Sequence, residues 1–225
     1  MDDPKCQILS DEFYQYDLSF KIIVIGNSGV GKSCLALKAT KNKFLENHQP
    51  TVGVEFFIFN VRVNDKNIKL QIWDTCGQEI YKSLVMSFYK NSSLAVIVYA
   101  VDDERSFKDV ENWLNEIKTH SNPDIKVFLI GNKTDLEDRK KVPFDVAKEF
   151  ADKFKFNYFV ETSAKTGFNT QNVFVKAAQL LYEEQLKYMT KNSFTETEVP
   201  IPYTGELNSY ILGDSDEPRS RGCCG

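Results

Sequence analysis

The segment that most constrains this chain is the loop Gly26–Ser33, with the sequence GNSGVGKS. It follows an apolar run at Phe20–Ile25 and precedes a helical pattern that runs from Lys32 to about Thr40. The spacing G-x-x-x-x-G-K-[ST] between a strand and a helix is typical of loops whose backbone N–H groups surround phosphate oxygens. The pattern predicts a phosphate site made by these residues: Ser28, Gly29, Val30, Gly31, Lys32, Ser33 and Cys34.

Two side chains of this loop have predicted chemistry. Lys32 would reach the β- and γ-phosphates of a nucleotide, and the Ser33 hydroxyl would ligate Mg²⁺. The alternative is a glycine-rich strand-to-helix turn with an incidental lysine.

Strand and helix patterns alternate along the chain. Leu94–Val101 and Lys126–Ile130 are almost entirely apolar, as in strands buried on both faces of a parallel sheet. Glu55–Val63 and Ile68–Asp74 are strand patterns around a turn-rich connection, and 104–120 repeats apolar residues at helical spacing. This order predicts an α/β fold of the P-loop NTPase type, with three layers and a six-stranded, mostly parallel sheet between helices. Ligands of such sheets bind beyond the carboxyl ends of the strands.

Composition divides the chain into three expected regions: an N-terminal arm over 1–19, a folded domain over 20–189 and a flexible tail over 190–225. The tail carries three basic against six acidic side chains, for a net charge of −3. The whole chain has a net charge of −4, which argues against nucleic acid as a partner. Its five cysteines show no metal or disulfide spacing, which favours the reducing cytosol.

Asp74 ends a predicted strand and precedes Thr75, Cys76, Gly77 and Gln78. A carboxylate at this end of the sheet would lie near an ion held by Ser33, since Mg²⁺ is bound through oxygen ligands. The Gly77 N–H could meet a γ-phosphate. Asp74 is therefore a candidate member of the Mg²⁺ site, although an aspartate at a strand end can also be a simple turn residue.

Two polar segments follow the later strands, at Asn132–Asp135 and at Glu161–Lys165. The Asp135 carboxylate can accept two hydrogen bonds from the N1–H and N2–H₂ groups of guanine, whereas adenine would leave it unpaired. Sites with such polar complementarity reject the wrong partner by orders of magnitude. The two segments together predict a guanine site, while each taken alone could be a solvated loop.

In combination these motifs resemble those of the Ras-like small GTPases, and within them the Rab family, over about residues 18–189. Rab-type sequence is present at Thr51–Phe56 (TVGVEF), Lys69–Trp73 (KLQIW) and Asp74–Glu79 (DTCGQE). The resemblance implies a monomeric switch that alternates between GTP- and GDP-bound forms and recruits effectors to membranes in vesicle trafficking.

The resemblance also implies roles at the phosphates. Thr51, in the first switch loop, would join Ser33 on Mg²⁺ and donate its N–H to the γ-phosphate. Gln78 would orient the hydrolytic water. The expected catalytic residues are thus Gln78, Lys32 and Thr51, and Mg²⁺ would be held by Ser33, Thr51 and Asp74.

On the base side, besides Asp135, the resemblance implies contacts from six residues: Phe44, Asn132, Lys133, Ser163, Ala164 and Lys165. Phe44 would cover the edge of the guanine ring, and Lys133 would lie over the base. Asn132 would support the loop and N7, and the Ala164 N–H would meet O6.

The implied partners are an exchange factor, a GTPase-activating protein and effectors, which would bind an aromatic triad of Phe56, Trp73 and Phe88. None of the five arginines lies near Thr51, and Gln49 occupies the place of the cis arginine of Gα proteins. We therefore expect slow intrinsic hydrolysis that an activating protein raises by about 10³–10⁵-fold.

Membrane attachment is expected through Cys223 and Cys224. The sequence Cys-Cys-Gly does not fit the C-a-a-X motif but resembles the geranylgeranylation signals of the Rab family. Two lipids are expected because the acidic tail offers no basic patch and one chain binds a membrane only marginally. A prenylation escort protein and a GDP-dissociation inhibitor are further implied partners, and the implied location is the cytosol and the cytoplasmic face of an internal membrane. Two free thiols are the alternative.

Two other functions compete with the switch. One is a guanine-nucleotide-binding scaffold of the same fold that never cycles, which the departure at Cys76 makes conceivable. The other is a metabolic P-loop kinase, which would need an arginine-rich lid and would leave Asn132–Asp135 unexplained.

Overall fold

The computed structural model describes residues 5–10, 15–46, 51, 53–75 and 88–192. Within them the strands are β1 (Cys6–Ile8), β2 (Leu18–Ile25), β3 (Val54–Val63), β4 (Lys66–Thr75), β5 (Leu94–Ala100), β6 (Lys126–Asn132) and β7 (Tyr158–Glu161). The helices are α1 (Lys32–Lys41), α2 (Glu104–Lys108), α3 (Val110–His120), α4 (Phe144–Lys153) and α5 (Thr170–Asn192). None of these helices is long and apolar enough to cross a membrane.

The strands form one sheet in the order β1-β3-β4-β2-β5-β6-β7. The neighbours from β4 to β7 are parallel, whereas β3 is antiparallel to β4 and β1 is antiparallel to β3. Helices α1 and α5 pack on one face, and α3 and α4 pack on the other. The predicted three-layer α/β fold is confirmed, with seven strands instead of the expected six.

Two apolar cores form because successive side chains of a strand point to opposite faces. In β2, Ile22 and Val24 join the core under α1 and α5, while Ile23 and Ile25 join the core under α3 and α4. Every residue of β5 is buried, as expected of a strand covered on both faces.

The additional strand comes from the N-terminal arm. β1 pairs with Val61–Val63, and the Asn64 N–H donates to the Lys5 carbonyl at 2.9 Å. At the other side of the β3–β4 turn, Asp17 accepts the Asn67 N–H through its carboxylate and donates its own N–H to the Asn67 carbonyl, both at 2.8 Å. The sequence does not predict β1 because three residues are too few to show a strand pattern, and all three are exposed in the structure.

The parallel registers bring the candidate motifs to one side of the sheet. Asp74 lies beside Val24 at the end of β2, and Glu161 lies beside Gly131 at the end of β6. We call this side, where β2, β4, β5, β6 and β7 end, the carboxyl edge. It is the side at which ligands of open α/β sheets bind.

The helical pattern at 104–120 forms two helices, with a break at Asp109. The Asp109 carboxylate accepts a hydrogen bond from Asn27 Nδ2 at 2.7 Å, across a separation of 82 residues. Helical spacing alone carries no information about such a distant contact, so the sequence suggested one continuous helix.

Candidate nucleotide-binding site

The backbone of the loop Gly26–Ser33 favours glycine at two positions where it comes close to neighbouring strands. The φ angles are +138° at Gly26 and +93° at Gly31. A Cβ atom on Gly26 would collide with the Val98 carbonyl oxygen, and one on Gly31 would lie 2.5 Å from Asn132 Nδ2. The loop therefore lies close to β5 at Gly26 and close to Asn132, the last residue of β6, at Gly31.

The N-terminus of α1 lies directly after this loop and receives no side-chain cap, because its N-cap residue is Gly31. Uncapped helix N–H groups and the helix dipole attract anions. Lys32 is only 6% exposed, and its Nζ donates to the carbonyls of Gly26 and Asn27 at 2.9 Å each. The loop thus combines open amides with a fixed ammonium group.

Three predicted metal ligands lie together beside the phosphate loop. Ser33 Oγ lies 2.7 Å from Thr51 Oγ1 and donates to Asp74 Oδ2. Because the Ser33 hydroxyl has one proton and gives it to Asp74, it accepts the hydrogen bond from Thr51. Asp74 is fully buried. Two hydroxyls and a carboxylate thereby meet from α1, from the segment before β3 and from the end of β4.

Asn132 connects the phosphate loop to both base segments. Its Nδ2 donates to the Val30 carbonyl at 3.0 Å, and its Oδ1 accepts from the Ala164 N–H at 3.1 Å and the Thr162 hydroxyl at 3.2 Å. The side chain is 1% exposed. One buried amide therefore sets the distance between the parts of the site.

The Asp135 carboxylate is held from the second base segment. Ser163 Oγ donates to Asp135 Oδ1 at 2.5 Å and accepts the Thr166 N–H at 3.1 Å. Lys133 has a φ of +71°, an uncommon conformation for a residue with a side chain, and its Nζ lies 3.6 Å from Asp102 Oδ1. The two base segments are thus joined side chain to side chain.

These features place a phosphate loop, a hydroxyl–carboxylate cluster and a base segment along one edge, and the comparisons agree with that arrangement. The model of the Ras family matches residues 21–183. The chain is 40% identical over 210 residues to "GTP-binding protein YPT1" of Saccharomyces cerevisiae, which covers 93% of this chain and 98% of the yeast protein. The chain belongs to the Ras family, in its Rab group.

Two plant relatives support the same placement. "Ras-related protein RABD2a" of Arabidopsis thaliana is 39% identical over 187 residues, covering 83% of this chain and 92% of the plant protein. "GTP-binding protein YPTM2" of Zea mays is 44% identical over 164 residues, covering 73% and 80%. The predicted family is confirmed. This Rab-family protein is a GTPase that binds guanine nucleotide and acts as a switch in vesicle trafficking, with regulators and effectors.

Some predicted contact residues of the Rab-family protein are exposed or, in the described part of the chain, form no hydrogen bond with the rest of the site, and their contacts stay predictions. Ser28 and Gly29 are exposed at the tip of the loop, and Lys165 is exposed in the second base segment. Within the described ranges, no hydrogen bond or ring contact joins the half-buried Phe44 to the base segments. Burial raises the pKa of the half-buried Cys34 thiol, and the charge of Asp74 raises it further, so the thiol stays protonated near neutral pH.

The structure assembles the aromatic triad expected to face effectors. The Trp73 ring lies 5.1 Å from the ring of Phe56 and 5.0 Å from that of Phe88, between centroids. Lys21 Nζ lies 5.3 Å from the centre of the Trp73 ring, and burial lowers the pKa of this lysine. Phe56 is 48% exposed, so part of the triad is open to a partner.

Other predicted residues lie outside the described ranges. Gly77 and Gln78 fall in 76–87, together with Cys76, and the lipidation residues Cys223 and Cys224 fall in 193–225. Their roles remain predictions.

The sequence reasoning missed two side chains that shape the site, Asn27 and Thr162. Thr162 is fully buried and donates to Asn132, and Asn27 bonds to Asp109 and Trp113 around α3. Both residues lie inside segments that the motifs had singled out. Their partners are distant in sequence, so spacing alone could not identify the contacts.

Proposed function

We propose that this Rab-family GTPase holds GTP and Mg²⁺ along the carboxyl edge, and that its first switch loop senses the γ-phosphate through Thr51. The observation that best supports this proposal is the cluster of Ser33, Thr51 and Asp74. Thr51 lies 18 residues from Ser33 in the sequence, and Asp74 lies 41 residues from it. The three side chains come from separate elements, yet they meet beside the phosphate loop.

The donor atoms of this cluster fit Mg²⁺, which prefers hard oxygen ligands and keeps several water or phosphate oxygens. Ser33, Thr51 and Asp74 would hold the ion, which supplies neutralisation of negative charge on the β- and γ-phosphates when bound. Thr51 would gain a further contact, from its N–H, while a γ-phosphate is present. Its release after hydrolysis would allow the first switch loop to change conformation, as in other GTP-operated switches.

Hydrolysis would depend mainly on positioning and electrostatics. Lys32 is held by two loop carbonyls and would lie against the β- and γ-phosphates. Gln78 would orient the attacking water. Intrinsic turnover would be slow, and an activating protein that supplies a cation would raise it by about 10³–10⁵-fold.

Base selection would depend on Asp135. Its carboxylate would accept hydrogen bonds from N1–H and N2–H₂ of guanine while Ser163 keeps it oriented. Asn132 would support N7, the Ala164 N–H would meet O6, and Lys133 and Phe44 would cover the ring. In the structure the Ala164 N–H donates to Asn132 Oδ1, so it would have to share its hydrogen with O6 or move to it. The contact supports this set because it places that N–H beside the first base segment.

The membrane role would require a lipid anchor, with geranylgeranyl groups on Cys223 and Cys224, an escort protein and a GDP-dissociation inhibitor. The exposed part of the aromatic triad would bind effectors at the cytoplasmic face of an internal membrane. Mass spectrometry of protein from its native cell tests the anchor: a mass increase on both cysteines is expected, and unmodified thiols would exclude it.

Asp135→Asn tests the base site. The variant should lose at least about 10³-fold in GDP affinity and gain xanthosine diphosphate binding, because the amide can donate to the xanthine carbonyl. Titration calorimetry with nucleotide-free protein measures both affinities.

The matched control is Asp138→Asn, the same change at an exposed aspartate three residues further along the chain, which should keep the preference for guanine. Unchanged selectivity in Asp135→Asn would contradict the base assignment. ATP binding as tightly as GTP to the unaltered protein would contradict the proposed function as a whole.

A further inference from the structure

Asn27, the second residue of the phosphate loop, has its side chain outside that loop. Its Nδ2 donates to Asp109 Oδ2 and its Oδ1 accepts from Trp113 Nε1, both at 2.7 Å. Asp109 immediately precedes α3, and Trp113 lies within its first turns. Residues at the start of α3 therefore bond to both the nitrogen and the oxygen of the Asn27 amide. No predicted site residue lies on this helix.

The backbone of the same residue holds the lysine of the loop. Lys32 Nζ donates to the Asn27 carbonyl at 2.9 Å and to the neighbouring Gly26 carbonyl at 2.9 Å. Gly26 cannot shift toward β5, because it already lies against the Val98 carbonyl. The position of the Lys32 ammonium consequently depends on where Asn27 is held.

The chemistry of the three side chains specifies an amide at position 27. The indole N–H of Trp113 can only donate, and the Asp109 carboxylate accepts. An amide can do both, because its oxygen accepts from Trp113 and its nitrogen donates to Asp109. A carboxylate at position 27 would instead face the Asp109 carboxylate at hydrogen-bonding distance, and like charges this close repel.

We propose that Asp109 and Trp113 are positioning residues for the nucleotide: through Asn27 they hold the start of the phosphate loop and the Lys32 ammonium against the diphosphate. This inference rests on the proposed function, since it assigns two residues of α3 to the same phosphate site. It predicts that damage to this contact weakens binding of the phosphates and leaves base selection intact.

Trp113→Phe tests the proposal, because it keeps an aromatic ring and removes only the N–H donor. GDP should dissociate about tenfold faster, as expected for a lost hydrogen bond at a functional loop. The preference for GDP over inosine diphosphate should stay unchanged, since among the described residues no hydrogen bond joins Asn27 to the base segments. Fluorescent GDP release, measured on protein shown to be folded by circular dichroism, provides the rates.

An exchange of groups separates positioning from general damage. Asn27→Asp should release GDP faster than Asn27→Ala, because it sets two carboxylates against each other. The double variant Asn27→Asp/Asp109→Asn again pairs one amide with one carboxylate and should return the rate to within about twofold of the unaltered protein. Asn115→Ala, an exposed asparagine of the same helix, is the matched control and should have no effect.

GDP release that is unchanged in Trp113→Phe, or a double variant no better than Asn27→Asp, would overturn the positioning role. Either result would leave the proposed function intact as long as the unaltered protein binds GDP. A protein that binds no guanine nucleotide at all would instead refute the proposed function.

Discussion

The phosphate loop and the base segments lie along the same edge of the sheet but are held in different ways. The phosphate loop is fixed by backbone at Gly26, which lies close to the Val98 carbonyl, and at Gly31, which has a left-handed conformation, and its side-chain link to α3 is at Asn27. The base segments are fixed by side chains, through the bonds of Asn132 and the Ser163–Asp135 contact. Asn132 belongs to both sets, since it also binds the Val30 carbonyl.

This difference separates what each part of the site can change. Phosphates are common to all nucleotides, and a backbone cradle recognises them without specifying the base. A base is distinguished by its donor and acceptor pattern, which a few side chains can match or mismatch. Substitutions in the backbone-held loop should therefore damage folding and binding together, whereas those in the base segments should alter selectivity first.

The largest expected effect is at Gly26. Gly26→Ala places a methyl group against the Val98 carbonyl and should lower the free energy of unfolding by about 3 kcal/mol or more. Gly29→Ala is the control, because φ is +79° there but nothing lies within 4 Å of the added atom, and it should cost only about 1 kcal/mol. Urea denaturation measures both. Equal losses at the two glycines would show that close packing does not fix the loop.

A smaller effect is expected from Ser163→Ala, which removes the hydroxyl bonded to Asp135 at 2.5 Å. GDP affinity should fall about tenfold, and the ratio of GTP to GDP affinity should stay constant because the phosphate loop is untouched. Calorimetry measures the affinities. Ser92→Ala, which removes another buried hydroxyl bonded to the Phe88 carbonyl at 2.8 Å, should lower stability without changing affinity. A changed GTP-to-GDP ratio in Ser163→Ala would show that the two regions are not separable.

The smallest effect concerns Tyr99, whose hydroxyl lies against the backbone of Gly131 in β6, the strand that leads into the first base segment. This hydroxyl is buried and has no hydrogen-bond partner among the residues that the structure describes. Tyr99→Phe should raise the free energy of unfolding by up to about 1 kcal/mol, since it removes an unsatisfied polar group. Tyr89→Phe should do the opposite, because the Tyr89 hydroxyl binds Glu116 at 3.2 Å. Destabilisation by both changes, in urea melts, would mean that the Tyr99 hydroxyl supports β6.

Local patterns predicted most of the fold. Apolar strands such as β5 and the amphipathic helices carry their period in the sequence, so the α/β architecture was predictable. Two features were not. β1 is a strand only because Val61–Val63 offers an edge to pair with, and the break at Asp109 coincides with a contact from Asn27. Both depend on residues far away in the chain.

The motifs located the segments of the site but not the contacts between them. The phosphate loop and the base segments were identified by their residue types, and the resemblance to the Rab family supplied the roles. The contacts among Ser33, Thr51 and Asp74, and those of Asn132, join residues that lie far apart in the chain. The contact of Asn27 with Trp113 spans 86 residues, and no local pattern encodes it.

The β3–β4 hairpin connects the segment of Thr51 to Asp74. The turn of this hairpin, at its end away from Asp74, is bonded to other parts of the chain on both sides. β1 pairs with Val61–Val63, and Asp17 forms two hydrogen bonds with Asn67 on the other side of the turn. Sliding the hairpin lengthwise along its neighbours would break both attachments together. We therefore expect movements that follow the loss of a phosphate group to be confined to the end of the hairpin nearest the nucleotide, while the opposite end stays in place.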